Sequence, residues 1–238
     1  TVIVADKTGT MTTNEMTVTK ILVNNQEIDV SGAGFEPTGE FSMKGKLTNP
    51  KKNHELSTTL TISALCNDAV LTNENKWEVI GDPTEGALQV VARKAGIDAK
   101  ILEKKYPRVN EVPFSSERKM MSTVHKVGKS FFVYSKGAPE VILSKCNKIL
   151  RNSREIKLSE LQKEDILITI KEFAEKGLRV LGVAHKETKG HHEDLEKDLV
   201  FVGLVGMIDP PRPEVKNAIK TCHDAGIKVV MVTGDHKD

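Results

Sequence analysis

Short apolar runs, each closed by a polar loop, mark the two ends of this chain, and amphipathic helices and hairpins fill the length between them. Val2-Ile3-Val4-Ala5 is an uninterrupted apolar run of the kind buried in a parallel sheet, and it leads straight into Asp6-Lys7-Thr8-Gly9-Thr10. Residues 213–225 predict a helix closed by Gly226, and 227–232 a second buried strand that ends in Thr233-Gly234-Asp235. Two such strands, each running into a loop of Asp, Gly and Thr, belong together in one parallel α/β sheet. In sheets of that kind chemistry gathers beyond the carboxyl ends of the strands.

The middle of the chain has a different rhythm. Residues 24–54, rich in Asn, Gly, Lys and Thr, predict hairpins or loop, and a helix is expected over 54–69. The next helix is well marked: Asp82 as N-cap, Pro83 in the first turn, Glu85 three residues after the cap, and Gly96 beyond the last turn. Residues 120–127 and 130–135 read as strands joined at Gly128-Lys129. Ser159 and Gln162 form a second capping box and open a helix that ends at Gly177. Strands at 178–184 and 199–205 follow, separated by a charged loop around His191-His192. The apolar stretch 199–208 holds Gly203 and Gly206 and falls short of the ~18–20 residues that cross a bilayer, so it too reads as a buried strand. Strands in hairpin order with helices set apart predict an antiparallel α+β domain, inserted into the α/β sheet. Residues 1–14 and 207–238 are then the two segments of the sheet domain, and 15–206 the insertion.

Composition changes the picture in three ways. A 38% hydrophobic, 29% charged chain reads as a soluble globular protein with a real core. With 35 basic and 33 acidic residues there is no global field to draw nucleic acid or an anionic membrane, and no nucleic-acid partner is expected. Cys66, Cys146 and Cys222 form no CxxC pair and read as reduced thiols, not as a disulfide framework or zinc knuckle. His191-His192-Glu193-Asp194 has the residue types of a metal site, but adjacent histidines do not share a face, so a solvated loop is expected and no metal is assigned. The chain starts in a β-branched run without methionine and stops just after a strand and turn, so both ends read as cut from a longer protein.

Three groups of residues carry candidate chemistry. A carboxylate such as Asp6 at a strand end can attack a phosphoryl group and become an aspartyl phosphate, while the loop after it offers backbone donors, a cation and hydroxyls to phosphate oxygens. Such a carboxylate also serves as a cap or turn residue, and spacing alone leaves both readings open. Aromatics are only 4% of the chain, so Phe114, followed by Ser115 to Lys119 and one hairpin later by Lys136, stands out. It is either a core phenylalanine near solvated lysines or an aromatic platform flanked by cations. Glu85 is placed to complete the capping box begun by Asp82, a role that does not exclude a second one.

The run Asp6-Lys7-Thr8-Gly9-Thr10-Met11-Thr12 resembles the phosphorylation signature of the P-type ATPases, with Met11 where the family usually carries Leu or Ile. The likeness continues through Thr13-Asn14-Glu15-Met16-Thr17-Val18, Ala64-Leu65-Cys66-Asn67-Asp68 and Gly81-Asp82-Pro83-Thr84-Glu85-Gly86-Ala87. Further matches are Phe114-Ser115-Ser116-Glu117-Arg118-Lys119, Lys136-Gly137-Ala138-Pro139-Glu140, Gly177-Leu178-Arg179-Val180-Leu181, Asp209-Pro210-Pro211-Arg212 and Thr233-Gly234-Asp235. The resemblance thus covers essentially the whole chain.

It implies a nucleotide-binding domain inserted into a partial, HAD-like phosphorylation domain. It also implies ATP as substrate, Mg²⁺ as cofactor, and Asp6 as the phosphorylated residue with Lys7 and Thr8 as its catalytic neighbours. Asp6 and Thr8 would hold the Mg²⁺, with another ligand in a later family motif beyond this sequence. By the same resemblance Phe114 stacks on adenine, Lys119, Lys136 and Gly137 border the pocket, Glu85 lies beside it, and Arg179 reaches the phosphates. Thr233, Gly234 and Asp235 would complete the ATP site, and Asp209 and Arg212 would be hinge residues, stiffened by Pro210, Pro211 and Pro213. Ser116 lies where the muscle calcium pumps carry an arginine, which leaves phosphate contacts on that side weaker or passes them to Arg118.

Related phosphatases carry a second aspartate at the position of Thr8, where it acts as general acid and base. Its replacement here implies an aspartyl phosphate that persists, as a pump requires. A soluble phosphatase of that superfamily and a non-catalytic nucleotide-binding module are the rival readings. The implied partners are ATP and the transmembrane and actuator domains of one pump, with this portion on the cytoplasmic side of a membrane and itself monomeric. The calcium-pump branch is the nearest likeness.

Overall fold

In the computed structural model, which describes residues 1–190 and 194–233, the chain begins with β1 (Val2–Asp6) and a tight turn over 7–11. β2 (Thr17–Val23), β3 (Gln26–Val30), β4 (Phe41–Met43) and β5 (Lys46–Leu47) follow as an antiparallel meander. Helix α1 (His54–Leu65) is capped by the Asn53 side chain. It stops short of the expected 69 because Asn67 competes with the helix: its amide donates to Ser63 O and its carbonyl accepts from Ala69 N–H. A separate hairpin of β6 (Val70–Asn73) and β7 (Trp77–Ile80) leads into α2 (Pro83–Lys94) and α3 (Ala99–Lys105).

A second meander, β8 (Arg108–Ser115), β9 (Met120–Val127) and β10 (Ser130–Gly137), is followed by α4 (Pro139–Ser144). The hairpin of β11 (Cys146–Arg151) and β12 (Arg154–Lys157) and helix α5 (Glu160–Glu175) come next. The Ser159/Gln162 capping box at the start of α5 is made in full. β13 (Arg179–Thr188) and β14 (Leu199–Ile208) complete the large sheet, before α6 (Val215–Asp224) and β15 (Lys228–Val232).

Among the described residues eleven strands form one sheet, in the order β5-β4-β3-β2-β14-β13-β10-β9-β8, with β11 beside β14 and β12 beside β11. Pairing is antiparallel except for β11, which runs parallel to β14. β14 is the spine, and its apolar run is explained by burial on both faces. Val200, Val202, Val205 and Met207 enter the core under α1 and α2, while Leu199, Phe201 and Leu204 enter the core under α4 and α5. The result is an α+β architecture with a large antiparallel sheet, its helices laid on both faces. The short hairpin strands gave the sequence pattern no purchase: every residue of β12 is exposed, so no alternation marks it.

β1 and β15 pair in parallel, from Val2 opposite Lys228 to Asp6 opposite Val232. Their expected burial is not found. Val2, Ile3, Val4, Met231 and Val232 are exposed, because two strands with one helix beside them offer too little surface to cover both faces. The chain passes between this pair and the large sheet at one place. Thr17 of β2 lies opposite Ile208 of β14, and just beyond them Thr13 N–H donates to Pro210 O (3.1 Å) and Arg212 N–H to Met11 O (2.9 Å).

Candidate functional site

Sequence-distant residues gather where the strands end. Ser115 pairs with Met120, Met120 with Gly137, and Gly137 with Gly182, a row across β8, β9, β10 and β13. Phe114 immediately precedes this row. Arg179 extends beyond it on β13, level with Met207 of β14, which is in turn level with Val18 of β2. Candidate residues therefore occupy the end of the sheet from which the chain crosses to β1 and β15. The Phe114 residue is 61% exposed and belongs to none of the buried clusters, which rules out the core-phenylalanine reading. Lys119 and Arg179 are exposed as well, and neither forms an ion pair among the described residues.

The turn between β8 and β9 is tightly built. Lys119 takes a left-handed backbone conformation (φ 53°), sparsely populated by residues with a side chain. Its N–H donates to Ser115 O at 2.7 Å, and its carbonyl accepts from Ala138 N–H at 2.8 Å. This closeness explains Gly137: a Cβ there would lie 2.4 Å from Lys119 O and 2.6 Å from Met120 Cβ. Gly137 acts by letting β10 close on the turn that carries Lys119.

Lys136 is buried and its Nζ lies 2.5 Å from Glu85 Oε1, with side-chain exposures of 8% and 18%. The other Glu85 oxygen accepts from Asp68 N–H at 3.1 Å. Glu85 therefore does not close a capping box. Asp82 caps α2 alone, its Oδ1 accepting from Thr84 N–H (2.8 Å) and Glu85 N–H (3.2 Å). The carboxylate that sequence spacing assigned to the helix end is instead turned to Lys136. Cys66 lies in the same region, fully buried, and burial pushes its thiol up while the Lys136 charge pulls the other way, so it behaves as an inert core residue.

Arg118 is engaged by protein partners. Its Nη1 lies 2.7 and 2.8 Å from the two oxygens of Glu196, and its Nη2 donates to Pro113 O. Glu196, 78 residues from Arg118, was not a sequence candidate, and nothing in its charged loop distinguishes it by pattern.

At the other centre Asp6 is exposed at the end of β1, level with Val232, and Thr233 follows on β15. Gly234 and Asp235 lie outside the described residues, as do His191, His192 and Glu193. Gly9 turns the loop after Asp6 with φ 75°, and its N–H donates to Thr12 Oγ1 at 3.1 Å. Asp209 and Arg212 grip that loop. Thr12 Oγ1 donates to Asp209 Oδ2 at 2.5 Å, and Arg212 donates from Nε to Thr10 O (3.1 Å) and from Nη2 to Gly9 O (3.0 Å). The Asp6 carboxylate and the oxygens of Thr8 are hard donors suited to a divalent cation such as Mg²⁺. Among the described residues no three His, Cys, Asp or Glu side chains cluster, so this donor set is partial.

Residues 55–214 match the family described as P-type ATPase, cytoplasmic domain N, and the chain belongs to the P-type ATPases. A calcium-transporting ATPase of Bacillus subtilis (strain 168) is 39% identical over 241 residues, covering 99% of this chain and 27% of the relative. The cation-transporting ATPase pma1 of Synechocystis sp. is 40% identical over 247 residues, with 99% and 27% covered. Calcium-transporting ATPase 1 of Bacillus cereus is 42% identical over 242 residues, with 100% and 25% covered. The chain thus spans about a quarter of the length of the curated relatives it matches. No helix among the described residues is long and apolar enough to cross a membrane.

Proposed function

We propose that this chain binds ATP at the Phe114–Lys136 end of its large sheet and presents Asp6 as acceptor of the γ-phosphoryl group in a cation-transporting pump. The observation that carries the reading is the exposed ring of Phe114 next to the strand-end row of Ser115, Met120, Gly137 and Gly182, with the buried Lys136, paired to Glu85 of α2, one residue before Gly137 on β10. The free face of Phe114 suits adenine, and such stacking is worth ~1–3 kcal/mol. Lys119 and Arg179, exposed and without ion pairs among the described residues, are mobile charges for the phosphates. Lys136 and Gly137 form the inner wall, with Glu85 fixing the Lys136 ammonium.

Asp6 is the nucleophile, Lys7 offsets the charge gathering on the phosphoryl oxygens, and Thr8 leaves no carboxylate to activate water at that position. Asp6 and Thr8 would hold Mg²⁺, which when bound neutralises phosphate charge. The side-by-side exit of β2 and β14 supports a nucleotide-binding domain at 15–206 inserted between two segments, 1–14 and 207–238, of a HAD-like phosphorylation domain. Thr233, at the β15 end beside the Asp6 strand, supports a role for Thr233-Gly234-Asp235 at the phosphate. The grip of Asp209 and Arg212 on the loop after Asp6 supports their reading as hinge residues. The named relatives favour calcium as the ion, and transmembrane and actuator domains of the same pump as partners on the cytoplasmic side of the membrane.

Titration of the chain with ATP, followed by NMR or calorimetry, tests the binding site. Affinity in the high-micromolar to millimolar range is expected, roughly −4 to −6 kcal/mol. Phe114→Ala should lose ~1–3 kcal/mol of it; unchanged affinity removes Phe114 from the site. Acid-quenched labelling of the full-length pump from γ-labelled ATP tests Asp6. Labelling that survives Asp6→Asn places the nucleophile elsewhere.

A further inference from the structure

The backbone at Phe114 is held in an unusual way. The β8–β9 register breaks between Val112 and Ser115, so the ladder skips Pro113 and Phe114, and Pro113 has no N–H to donate in any case. The Arg118 guanidinium braces this stretch from the side, donating to Pro113 O from Nη2 while Nη1 sits between the oxygens of Glu196. Arg118 N–H also donates to Ser115 Oγ (3.2 Å), which closes the turn.

Glu196 is itself anchored. Its neighbour Leu195 is 7% exposed and packs in a cluster with Val124 and Val133 on β9 and β10. Ser122 Oγ donates to Glu196 Oε1 at 3.0 Å. Having one proton to give, Ser122 must then accept from Ser135, whose hydroxyl lies 2.8 Å away on the paired strand. Both serines are completely buried, so these hydroxyls sit where only a polar partner such as this carboxylate justifies them. Ser122 and Lys136 lie on opposite faces of the sheet, since Lys136 is level with Met121. The nucleotide end is thus gripped from both sides, by Glu85 on Lys136 and by Glu196 on Arg118.

We infer that Glu196 is a positioning residue for nucleotide binding: acting through Arg118 and the Pro113 carbonyl, it holds the Phe114 ring ready for the base. The inference rests on the ATP-binding reading above and deepens it. Without the strap, residues 113–114 must be ordered at the moment of binding, and the ordering cost is subtracted from affinity. Arg118 suits the task because its two Nη groups address two partners at once, which a lysine ammonium at the end of a flexible stem does not reproduce.

The test compares wild type, Glu196→Gln, Arg118→Lys, Phe114→Ala and the Glu196→Gln/Phe114→Ala double variant of this chain, each checked by thermal melting. The probes are ATP, adenosine and inorganic triphosphate. Glu196→Gln and Arg118→Lys should weaken ATP and adenosine about fivefold, as expected for residues coupled through shared partners. Inorganic triphosphate, which has no base to stack, should bind as before. In the Phe114→Ala background Glu196→Gln should cost nothing further, an outcome that general loosening of the fold does not produce. Should Arg118→Lys fail to fold, Glu196→Gln supplies the comparison; should Glu196→Gln fail, Arg118→Lys is carried into the Phe114→Ala background in its place. Unchanged ATP binding by folded Glu196→Gln and Arg118→Lys overturns the inference and leaves the binding site standing, as do losses that add in the double variant or fall equally on triphosphate. A wild-type chain that binds neither ATP nor adenosine overturns the binding site, and the inference with it.

Discussion

The Lys136–Glu85 pair is the most exposed to refutation, because its burial sets a magnitude. The Lys136 side chain is 8% exposed and has Glu85 as its ion-pair partner at 2.5 Å, whereas the Glu85 side chain is 18% exposed and keeps the Asp68 N–H as a second partner. The two halves should therefore not be equal. Glu85→Gln strands a charge with almost no water and should cost about 3 kcal/mol, the lower end for a broken buried pair because the amide oxygen still accepts from Nζ. Lys136→Met leaves a carboxylate that retains one backbone donor and some solvent, and should cost ~1–3 kcal/mol. The double variant should fall short of the sum by ~0.5–3 kcal/mol, since each single change already removes the shared interaction. Urea unfolding of the four proteins gives these values, with equal denaturant slopes required before the midpoints are compared. Costs that add in the double variant, or a Glu85→Gln cost below ~0.5 kcal/mol, mean that the pair behaves as a solvated surface bridge. ATP titration on the same proteins should show weaker binding by Lys136→Met.

Acid should destabilise the fold through two buried histidines. Burial lowers the pKa of His125 and His185 from the ordinary 6.5, so the folded state keeps them neutral where the unfolded chain takes up protons. Their contribution is complete above the unfolded value and lost as pH falls below it, so the urea midpoint should drop between about pH 7.5 and pH 5.5. His125→Gln should flatten that slope, and an unchanged slope would count against the assignment. Gly137→Ala should cost ~1–3 kcal/mol and weaken ATP binding, because the new methyl meets the Lys119 carbonyl and the Met120 backbone, which cannot rotate away. A melting curve like that of wild type would show that the turn yields instead.

Features written in neighbouring residues were legible without a structure. The Ser159/Gln162 capping box, the Asp82 cap, the Gly128-Lys129 turn and the apolar run of β14 all appear where local pattern places them. Each depends on hydrogen bonds or burial within a few residues. Even so, local pattern misread Glu85. A glutamate three residues after a cap has two places to send its carboxylate, and only the arrival of Lys136, 51 residues on, decided between them.

Tertiary structure alone decided the rest, by bringing strand ends into one row. Whether Phe114 is core or surface depends on the β8–β9 register, and that register is set by pairings along whole strands, not by the residues around the ring. The same holds for Arg118, which sequence offered to a phosphate and which packing gave to Glu196. The exposure of β1 follows from how little packs against it, although its apolar run reads the same whether covered or bare. Propensity and capping act over a few residues, but the partner of a charge, the covering of a strand and the exposure of a ring are set by residues tens of positions away, which only the closed sheet brings within reach.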